Sequence, residues 1–442
     1  MARRHKKPSG DPIEAHVEAL SHDGRGVARI DGKTVFVDGA LPGESVRLVY
    51  TRSRRDYDEG RAVEVVRADV DRVVPRCAHF GVCGGCSLQH LSPEAQIAAK
   101  QRRLLDNLAR IGKVEPAEVF PALTGPVWQY RRKARLGVKY VAKKGRVLIG
   151  FREKHSNRLA DLERCEVLHP SVGERLPAIA ELIDGLSVRS RVAQIEVAVG
   201  DEATALVFRH LSPLSGEDEK ALVDFGRAHG LHIYLQPGGP DSVAALWPRD
   251  STLSYRLDAY DVELIFQPTD FTQVNAAINA AMVDRALTLL EAGREDRMLD
   301  LFCGLGNFTL PLARCAEEVV GVEGEAGLVE RARANAAHNG IDNARFYTAD
   351  LTQDPAGSPW LRGQHYDKVL LDPPRTGAAE LLEAIAAVGA RRIVYVSCNP
   401  ATLARDAGVL VSDLKYRLRG AGVMDMFPHT AHVESIALFE RA

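Results

Sequence analysis

Two hydrophobic patterns divide the chain. From about Glu14 to Val66, short alternating runs of apolar and polar residues are separated by glycine turns such as Asp23-Gly-Arg-Gly and Pro42-Gly. After Asp261, apolar runs of strand length alternate with helical stretches. The first pattern predicts a small antiparallel, OB-like barrel, and the second predicts an open, Rossmann-like α/β sheet.

The region between these patterns predicts a cysteine loop, a helix and a hairpin. Three cysteines lie close together at 77–86, and Pro93 to Ile111 predicts a helix. From Tyr130 to Phe151, two alternating runs flank Lys143-Lys-Gly, which predicts a β-hairpin. Residues 160–260 mix short strands and helices without an informative motif.

Charge is balanced overall but unevenly distributed. The 442 residues include 57 basic and 59 acidic side chains. Basic residues concentrate in the front half: Arg3, Arg4, Lys6 and Lys7, the stretch from Arg47 to Arg67, and Trp128 to Arg158, where Glu153 is the single acid. This distribution favours contact with a polyanion, although a solvated basic hairpin is the alternative.

The remaining composition narrows the class of protein. No apolar run approaches the roughly 18 residues of a membrane helix, and the amino terminus lacks a secretory apolar region. We therefore expect a soluble, cytosolic protein without membrane contact. Its seven cysteines are an odd number, so we expect metal binding or catalysis from them rather than disulfides.

A glycine motif marks a nucleotide-like site. Asp300-Leu-Phe-Cys-Gly-Leu-Gly-Asn-Phe closes a predicted strand and opens a helix, and Gly304 and Gly306 let the backbone turn sharply beside a ligand. A dinucleotide needs a third glycine near its pyrophosphate, but here Asn307 and Phe308 follow instead. A ligand with ribose and adenine but no phosphate fits better, and S-adenosylmethionine is such a ligand.

Acidic residues follow the predicted strands. Glu323 ends the strand after the glycine motif, where an acid typically accepts hydrogen bonds from ribose hydroxyls. Asp350 follows the third strand and Asp372 ends the fourth, at the sheet edge where such folds bind ligands. These acids suit a cationic sulfonium. Arg375 follows Asp372-Pro-Pro where amine methyltransferases carry an aromatic residue, which argues against amine methylation.

One cysteine is predicted at the start of a helix. A buried strand runs into Cys398, Asn399 takes the N-cap position, and Pro400 is the first helical residue. Partial positive charge at a helix amino terminus favours the thiolate, so we expect a pKa for Cys398 below its ordinary value of about 8.5. A small buried cysteine that merely ends a strand is the alternative.

A carboxylate is predicted to complement this thiol. Glu434 begins a carboxy-terminal strand and shares a face with Ile436 and Leu438, so desolvation should raise its pKa. A thiolate and a base suit methylation of uracil carbon 5. Sulfur addition at carbon 6 makes carbon 5 nucleophilic, and a base must later remove the carbon 5 proton.

Together these motifs resemble the RNA uracil-C5 (5-methyluridine) methyltransferase family, and most of all its 23S rRNA branch. The resemblance covers nearly the whole chain and is carried by Asp270-Phe-Thr-Gln-Val-Asn, the glycine motif, Leu371-Asp-Pro-Pro-Arg, Ser397-Cys-Asn-Pro and His432-Val-Glu. It implies Cys398 as nucleophile and Glu434 as base. It also implies a cofactor and target-base site lined by Gln273, Phe302, Asn307, Glu323, Asp350 and Asp372.

The cysteine loop leaves several metals open. Five residues separate Cys77 from Cys83, which is long for zinc, and two separate Cys83 from Cys86. From the residues alone, an iron–sulfur cluster, zinc and no metal are all open alternatives. Iron–sulfur sites need four thiolates, and the loop supplies three. The family resemblance implies Cys165 as the fourth ligand of a [4Fe–4S] cluster. Cys303 and Cys315 are predicted to be structural.

The resemblance also implies an organisation. We expect a basic tail (1–10), a TRAM barrel that binds RNA (11–70), a central basic iron–sulfur domain (71–92 and 126–262), and a methyltransferase domain (93–125 and 263–442). The expected substrate is 23S rRNA, with a uridine out of its stack, and the expected state is a monomer that does not bind DNA.

Three rival functions remain. The first is an enzyme of the tRNA branch or one acting on cytosine. We expect the barrel and the cysteine loop to argue against the tRNA branch. A non-catalytic RNA-binding protein that retains the fold is the second. A nicotinamide dehydrogenase is the third, and the missing third glycine counts against it.

Overall fold

A computed structural model describes residues 10–353, 355 and 357–442 in two compact units. The first unit contains the described residues up to Lys100 together with Phe151–Ala160 and Phe427–His432, and the second contains the rest. The predicted basic tail with Arg3, Arg4, Lys6 and Lys7 lies outside the described residues. Within the described ranges, no helix combines the length and the apolar character that crossing a bilayer requires.

The first unit contains the predicted barrel. It closes in the order β1-β2-β3-β5-β4, with strands β1 (Ile13–Leu20), β2 (Gly26–Ile30), β3 (Lys33–Asp38), β4 (Ser45–Ser53) and β5 (Tyr57–Arg67). Alternate apolar residues fill its interior, as their period of two requires. The prediction of a wholly antiparallel barrel is wrong, because β3 and β5 pair in parallel. A closed ring with an odd number of strands cannot alternate direction at every pair.

The predicted helix and hairpin are both present. The helix is α1 (Pro93–Asn107), and a π-helical turn (Leu108–Gly112) continues it. The hairpin consists of β7 (Lys133–Val141) and β8 (Arg146–Gly150), joined by a short 3-10 turn.

In the second unit, the hairpin belongs to a six-stranded sheet with the order β12-β11-β10-β9-β7-β8. Its other strands and the helices along this stretch are α2 (Pro170–Gly173), α3 (Leu176–Gly185), β9 (Val192–Val199), β10 (Thr204–His210), α4 (Gly216–His229), β11 (Leu231–Gln236) and β12 (Ala244–Trp247). Acids distant in sequence neutralise part of the basic stretch: Asp161 pairs with Lys144 and Arg146, and Glu196 pairs with Lys133.

The rest of the second unit is built on an eight-stranded sheet with the order β17-β16-β15-β18-β19-β21-β20-β6. Its strands are β6 (Glu118–Val119), β15 (Arg297–Leu301), β16 (Glu318–Glu323), β17 (Ala344–Thr348), β18 (Lys368–Leu371), β19 (Arg392–Ser397), β20 (Tyr416–Met424) and β21 (Glu434–Arg441). The first five in this order are parallel, and β21 is antiparallel to β19 and β20. The predicted Rossmann-like sheet is therefore confirmed.

A hairpin and five helices accompany this sheet. They are β13 (Leu253–Leu257), β14 (Val262–Phe266), α5 (Ala276–Leu290), α6 (Thr309–Ala313), α7 (Ala326–His338), α8 (Leu382–Ala387) and α9 (Pro400–Ser412). The parallel strands end at one edge of the sheet, and the loops that follow them carry the predicted site residues.

Candidate active site

The glycine loop after β15 has an unusual backbone. Phe302 has a φ of +66°, and Gly304 and Gly306 have φ values of +55° and +99°. A residue other than glycine costs free energy in this left-handed region of positive φ. The strain at Phe302 therefore indicates that the surrounding structure holds the loop in place. The Gly304 amide donates a hydrogen bond to Oε2 of Glu323 at 3.1 Å, which joins the loop to the end of β16.

Asn307, at the end of this loop, lies in a hydrogen-bonded network. Its Oδ1 accepts hydrogen bonds from Tyr255 Oη and Asn279 Nδ2, both at 2.9 Å, and its Nδ2 donates to Asn279 Oδ1 at 2.9 Å. Gln273 is half-buried and lines a small pocket with Tyr255 and Asn279. Sequence reasoning missed Tyr255 and Asn279. Asn279 lies six residues after Gln273, but nothing in the local pattern points to Tyr255.

The predicted acids occupy different environments. Burial raises the pKa of Asp372 to about 7, whereas Asp350 is exposed and accepts hydrogen bonds from Thr352 that lower its pKa. Sequence reasoning assigned no role to Asp300, although burial, and then the nearby charges of Asp372 and Glu323, raise its pKa to about 7 against the opposing hydrogen bond from Thr309. The carboxyl ends of β16 and β18 thus bring Glu323 and Asp372 into electrostatic range of Asp300 on β15.

Cys398 lies at the predicted junction of strand and helix. β19 ends at Ser397, and Asn399 caps α9 by accepting a hydrogen bond from the Ala401 amide at 3.1 Å. The expectation of a low thiol pKa is wrong. Burial, followed by the negative charges of Glu434 and Asp372, raises the pKa of Cys398 to about 11 and outweighs the opposing charge of Arg375 and a backbone hydrogen bond.

Glu434 is the first residue of β21 and is buried. Burial and the nearby charge of Asp372 hold its pKa well above the ordinary value, against the opposing charge of Arg375, so the predicted desolvation is confirmed. β19 and β21 are antiparallel with Ser397 opposite Ser435, so Cys398 and Glu434 emerge at the same end of this pair. The structure therefore brings a thiol and a carboxylate together within electrostatic range of Asp372.

The cysteine loop lies in the first unit. The Gly85 amide donates to Sγ of Cys83 at 3.4 Å, and the Gly84 amide donates to the Arg152 carbonyl oxygen at 2.8 Å. Amide hydrogen bonds to cysteine sulfur are typical of iron–sulfur sites. Among the described residues, however, no three histidine, cysteine or acidic side chains are gathered to hold a metal ion. The described residues therefore offer a cluster the donor chemistry of the loop and not a gathered set of ligands.

Known proteins resemble the chain over its whole length. It is 58% identical over 441 residues to the 23S rRNA (uracil(1939)-C(5))-methyltransferase RlmD of Methylococcus capsulatus, covering 99% of each chain. It is 56% identical over 444 residues to the RlmD of Xanthomonas campestris pv. campestris, covering 100% of each.

A solved structure is also similar. The tRNA (uracil-54, C5)-methyltransferase of Pyrococcus abyssi, in complex with S-adenosyl-L-homocysteine, has a TM-score of 0.73 at 26% identity, covering 97% of this chain and 100% of that one. Because this similarity includes the barrel, the expectation that the barrel argues against the tRNA branch is wrong.

Two family profiles match the sequence. The TRAM domain matches residues 6–63, which identifies the barrel, and the tRNA (Uracil-5-)-methyltransferase family matches residues 93–442. Together with relatives that are more than half identical over the full length, these matches show that the chain belongs to the RNA uracil-C5 methyltransferase family.

Proposed function

We propose that this protein transfers a methyl group from S-adenosylmethionine to carbon 5 of a uridine in 23S rRNA. The observation that carries the proposal is the convergence of Cys398 and Glu434 at one end of the β19–β21 pair, within electrostatic range of Asp372. The relatives that are more than half identical and carry the rRNA name support the choice of substrate.

In this proposal Cys398 is the nucleophile. Its sulfur adds to carbon 6 of the uracil and the thiol proton leaves, which concentrates negative charge on carbon 5 and the 4-keto oxygen. S-adenosylmethionine supplies an electrophilic methyl group to carbon 5 when it is bound. Since the pKa of Cys398 is about 11 in the protein alone, we expect the sulfonium charge to favour the thiolate once both substrates are present.

Glu434 is the proposed base. It accepts the carbon 5 proton while the bond between carbon 6 and the cysteine sulfur breaks, which restores the aromatic ring and the enzyme. A carboxylate with a raised pKa is a stronger proton acceptor than an ordinary one, and burial raises the pKa of Glu434. One proton and S-adenosylhomocysteine are released with the methylated RNA.

The loop residues are proposed to bind the cofactor and the base. Glu323 would accept hydrogen bonds from the ribose hydroxyls, and Asp350 and Asp372 would line the same edge. Phe302 and Asn307 lie on the glycine loop beside them, and Gln273 would contact the target uracil from the segment before α5. The half-buried positions of Gln273, Phe302 and Asn307 support these roles.

The test uses unmodified 23S rRNA carrying 5-fluorouridine at its uridine positions, with a labelled methyl donor. Fluorine at carbon 5 cannot leave as a proton does, so a covalent complex of protein and RNA should accumulate and survive denaturation. Cys398→Ala should form none, whereas Cys315→Ala, which changes a cysteine away from this site, should form it normally. Methyl transfer by Cys398→Ala at the normal rate would refute the proposal.

A tRNA uridine is the second candidate substrate, and the similarity to the archaeal tRNA enzyme favours considering it. Competition between unmodified 23S rRNA and unmodified tRNA in one reaction distinguishes the two. We expect the label to appear in the rRNA. Label that appears mainly in the tRNA would identify tRNA as the substrate and would leave the proposed mechanism unchanged.

We also propose that Cys77, Cys83, Cys86 and Cys165 bind a [4Fe–4S] cluster. Support comes from the three thiols of the cysteine loop and the amide hydrogen bond to Cys83 sulfur. Anaerobic purification followed by iron and sulfide analysis tests this, with Cys77→Ser losing both and Cys315→Ser retaining them. Zinc in place of iron would refute it. No step of the methyl transfer passes through the cluster.

The organisation and setting complete the proposal. The barrel and the basic hairpin would bind the RNA. The three domains would have the predicted boundaries, and the protein would act as a cytosolic monomer. The TRAM match supports the role of the barrel. Light scattering of the purified protein, and limited proteolysis at the predicted boundaries, test the monomer and the domains.

A further inference from the structure

The Asn307 side chain has very little hydrogen-bonding capacity left. A side-chain amide oxygen accepts two hydrogen bonds and its nitrogen donates two. Oδ1 of Asn307 already accepts from Tyr255 and Asn279, and one hydrogen of Nδ2 is used by Asn279. A single N–H is left, so Asn307 can offer a ligand a donor and nothing else.

The hydrogen-bonded network that orients the Asn307 side chain joins three separate segments. Tyr255 comes from β13, Asn279 from α5, and Asn307 from the glycine loop. Asn279 is 4% exposed, and the reciprocal pair of amides can form both bonds in two arrangements, as observed or with both amides flipped. The Tyr255 hydroxyl distinguishes the two arrangements, because it donates to Oδ1 of Asn307 in the observed one.

We propose that Tyr255 and Asn279 are positioning residues for cofactor binding: they hold the Asn307 amide so that its remaining N–H points at an acceptor atom of the S-adenosylmethionine, a ribose hydroxyl or a carboxylate oxygen. The inference rests on the proposed function, since it assumes that the glycine loop binds this cofactor. It adds two residues that act on the cofactor through Asn307.

The test is a single-atom deletion with a matched control. Tyr255→Phe removes the hydroxyl that orients Asn307, and Tyr234→Phe removes a hydroxyl that donates to Ser251 at 2.7 Å in a different sheet. Titration calorimetry with S-adenosylhomocysteine should show Tyr255→Phe binding about 3- to 10-fold more weakly than the wild type, and Tyr234→Phe binding equally. Asn279→Asp, which puts an oxygen opposite Asn307 Oδ1, should weaken binding further.

Kinetics separate positioning from a general loss of structure. Tyr255→Phe should raise the KM for S-adenosylmethionine while the KM for RNA and the kcat stay close to wild type, with a Tm matching that of Tyr234→Phe. Equal cofactor affinity in Tyr255→Phe and the wild type would overturn the inference. A wild-type protein that binds no S-adenosylhomocysteine would instead refute the proposed function.

Discussion

Ser435 on β21 lies directly opposite Ser397 on β19, and its hydroxyl donates a hydrogen bond to the Ser397 carbonyl oxygen at 3.1 Å. This pair sets the register at the end of the two strands. Because the strands are antiparallel, the residue after Ser397 and the residue before Ser435 lie side by side. Those residues are Cys398 and Glu434, so a single antiparallel strand in the sheet supplies the carboxylate that faces the thiol.

Glu434→Gln should stall the reaction after methyl transfer. The amide cannot accept the carbon 5 proton, so the methylated base should stay bonded to Cys398 and turnover should fall by about 10²- to 10⁴-fold. The measurement is a denaturing gel of protein incubated with unmodified rRNA and a labelled methyl donor, where a labelled protein–RNA band should appear.

The double variant Glu434→Gln/Cys398→Ala provides the control for this band. It keeps the altered base but lacks the nucleophile, so it should yield no covalent complex. Turnover of the single variant at the wild-type rate would show that another group removes the proton.

Alkylation should report the raised pKa of Cys398. In the protein without RNA or cofactor, modification by iodoacetamide should be slow near pH 7 and should increase towards a midpoint of about 11. Asp372→Asn should move this midpoint to lower pH, because it removes one of the negative charges that disfavour the thiolate. Peptide mass spectrometry follows each cysteine separately, and buried Cys303 should stay unmodified. A wild-type midpoint near 8.5 would contradict the expected environment.

Asp372→Asn should also change the pH dependence of stability. The pKa of Asp372 rises from 3.8 to about 7 on folding, so the native protein keeps a proton that the unfolded chain loses. The free energy of unfolding therefore falls as the pH rises from about 4 to about 7. The asparagine variant does not lose this free energy of unfolding as the pH rises. Its Tm should therefore exceed that of wild type by several degrees at pH 8 but match it at pH 4.

Asp350→Asn is the matched control for this experiment. Asp350 is exposed and its pKa is lowered, so its charged form is not disfavoured by folding. We expect no gain in Tm at pH 8 for this variant. A gain equal to that of Asp372→Asn would show that general charge reduction, rather than burial, is responsible.

Two glycine substitutions should differ in their effect. Gly306 has a φ of +99°, and a Cβ there would lie 3.1 Å from Leu310 Cγ, whereas Gly304 has a φ of +55° and open space around a Cβ. Gly304→Ala should cost about 1 kcal/mol in stability, because alanine can adopt the left-handed region at that price. Gly306→Ala should cost more and should weaken cofactor binding. Thermal unfolding and calorimetry measure both, and equal effects would contradict the expected geometry.

Local patterns predicted much of this protein. The alternation of apolar residues between Glu14 and Val66 predicted the barrel, and the N-cap sequence after β19 predicted the start of α9, because both depend on near neighbours in the chain. The acids at the ends of β16 and β18 were also predictable from the strand pattern alone. The fourth cysteine and Gln273 came only from the family resemblance.

Tertiary structure decided the rest, because electrostatic environment and long-range pairing depend on residues far apart in sequence. The helix terminus predicted a thiolate at Cys398, but burial and two carboxylates from other strands reverse the direction of its pKa shift. Tyr255 enters the site because a distant hairpin places its hydroxyl on Asn307. The parallel pairing of β3 with β5 follows from closing an odd number of strands, which no single strand encodes.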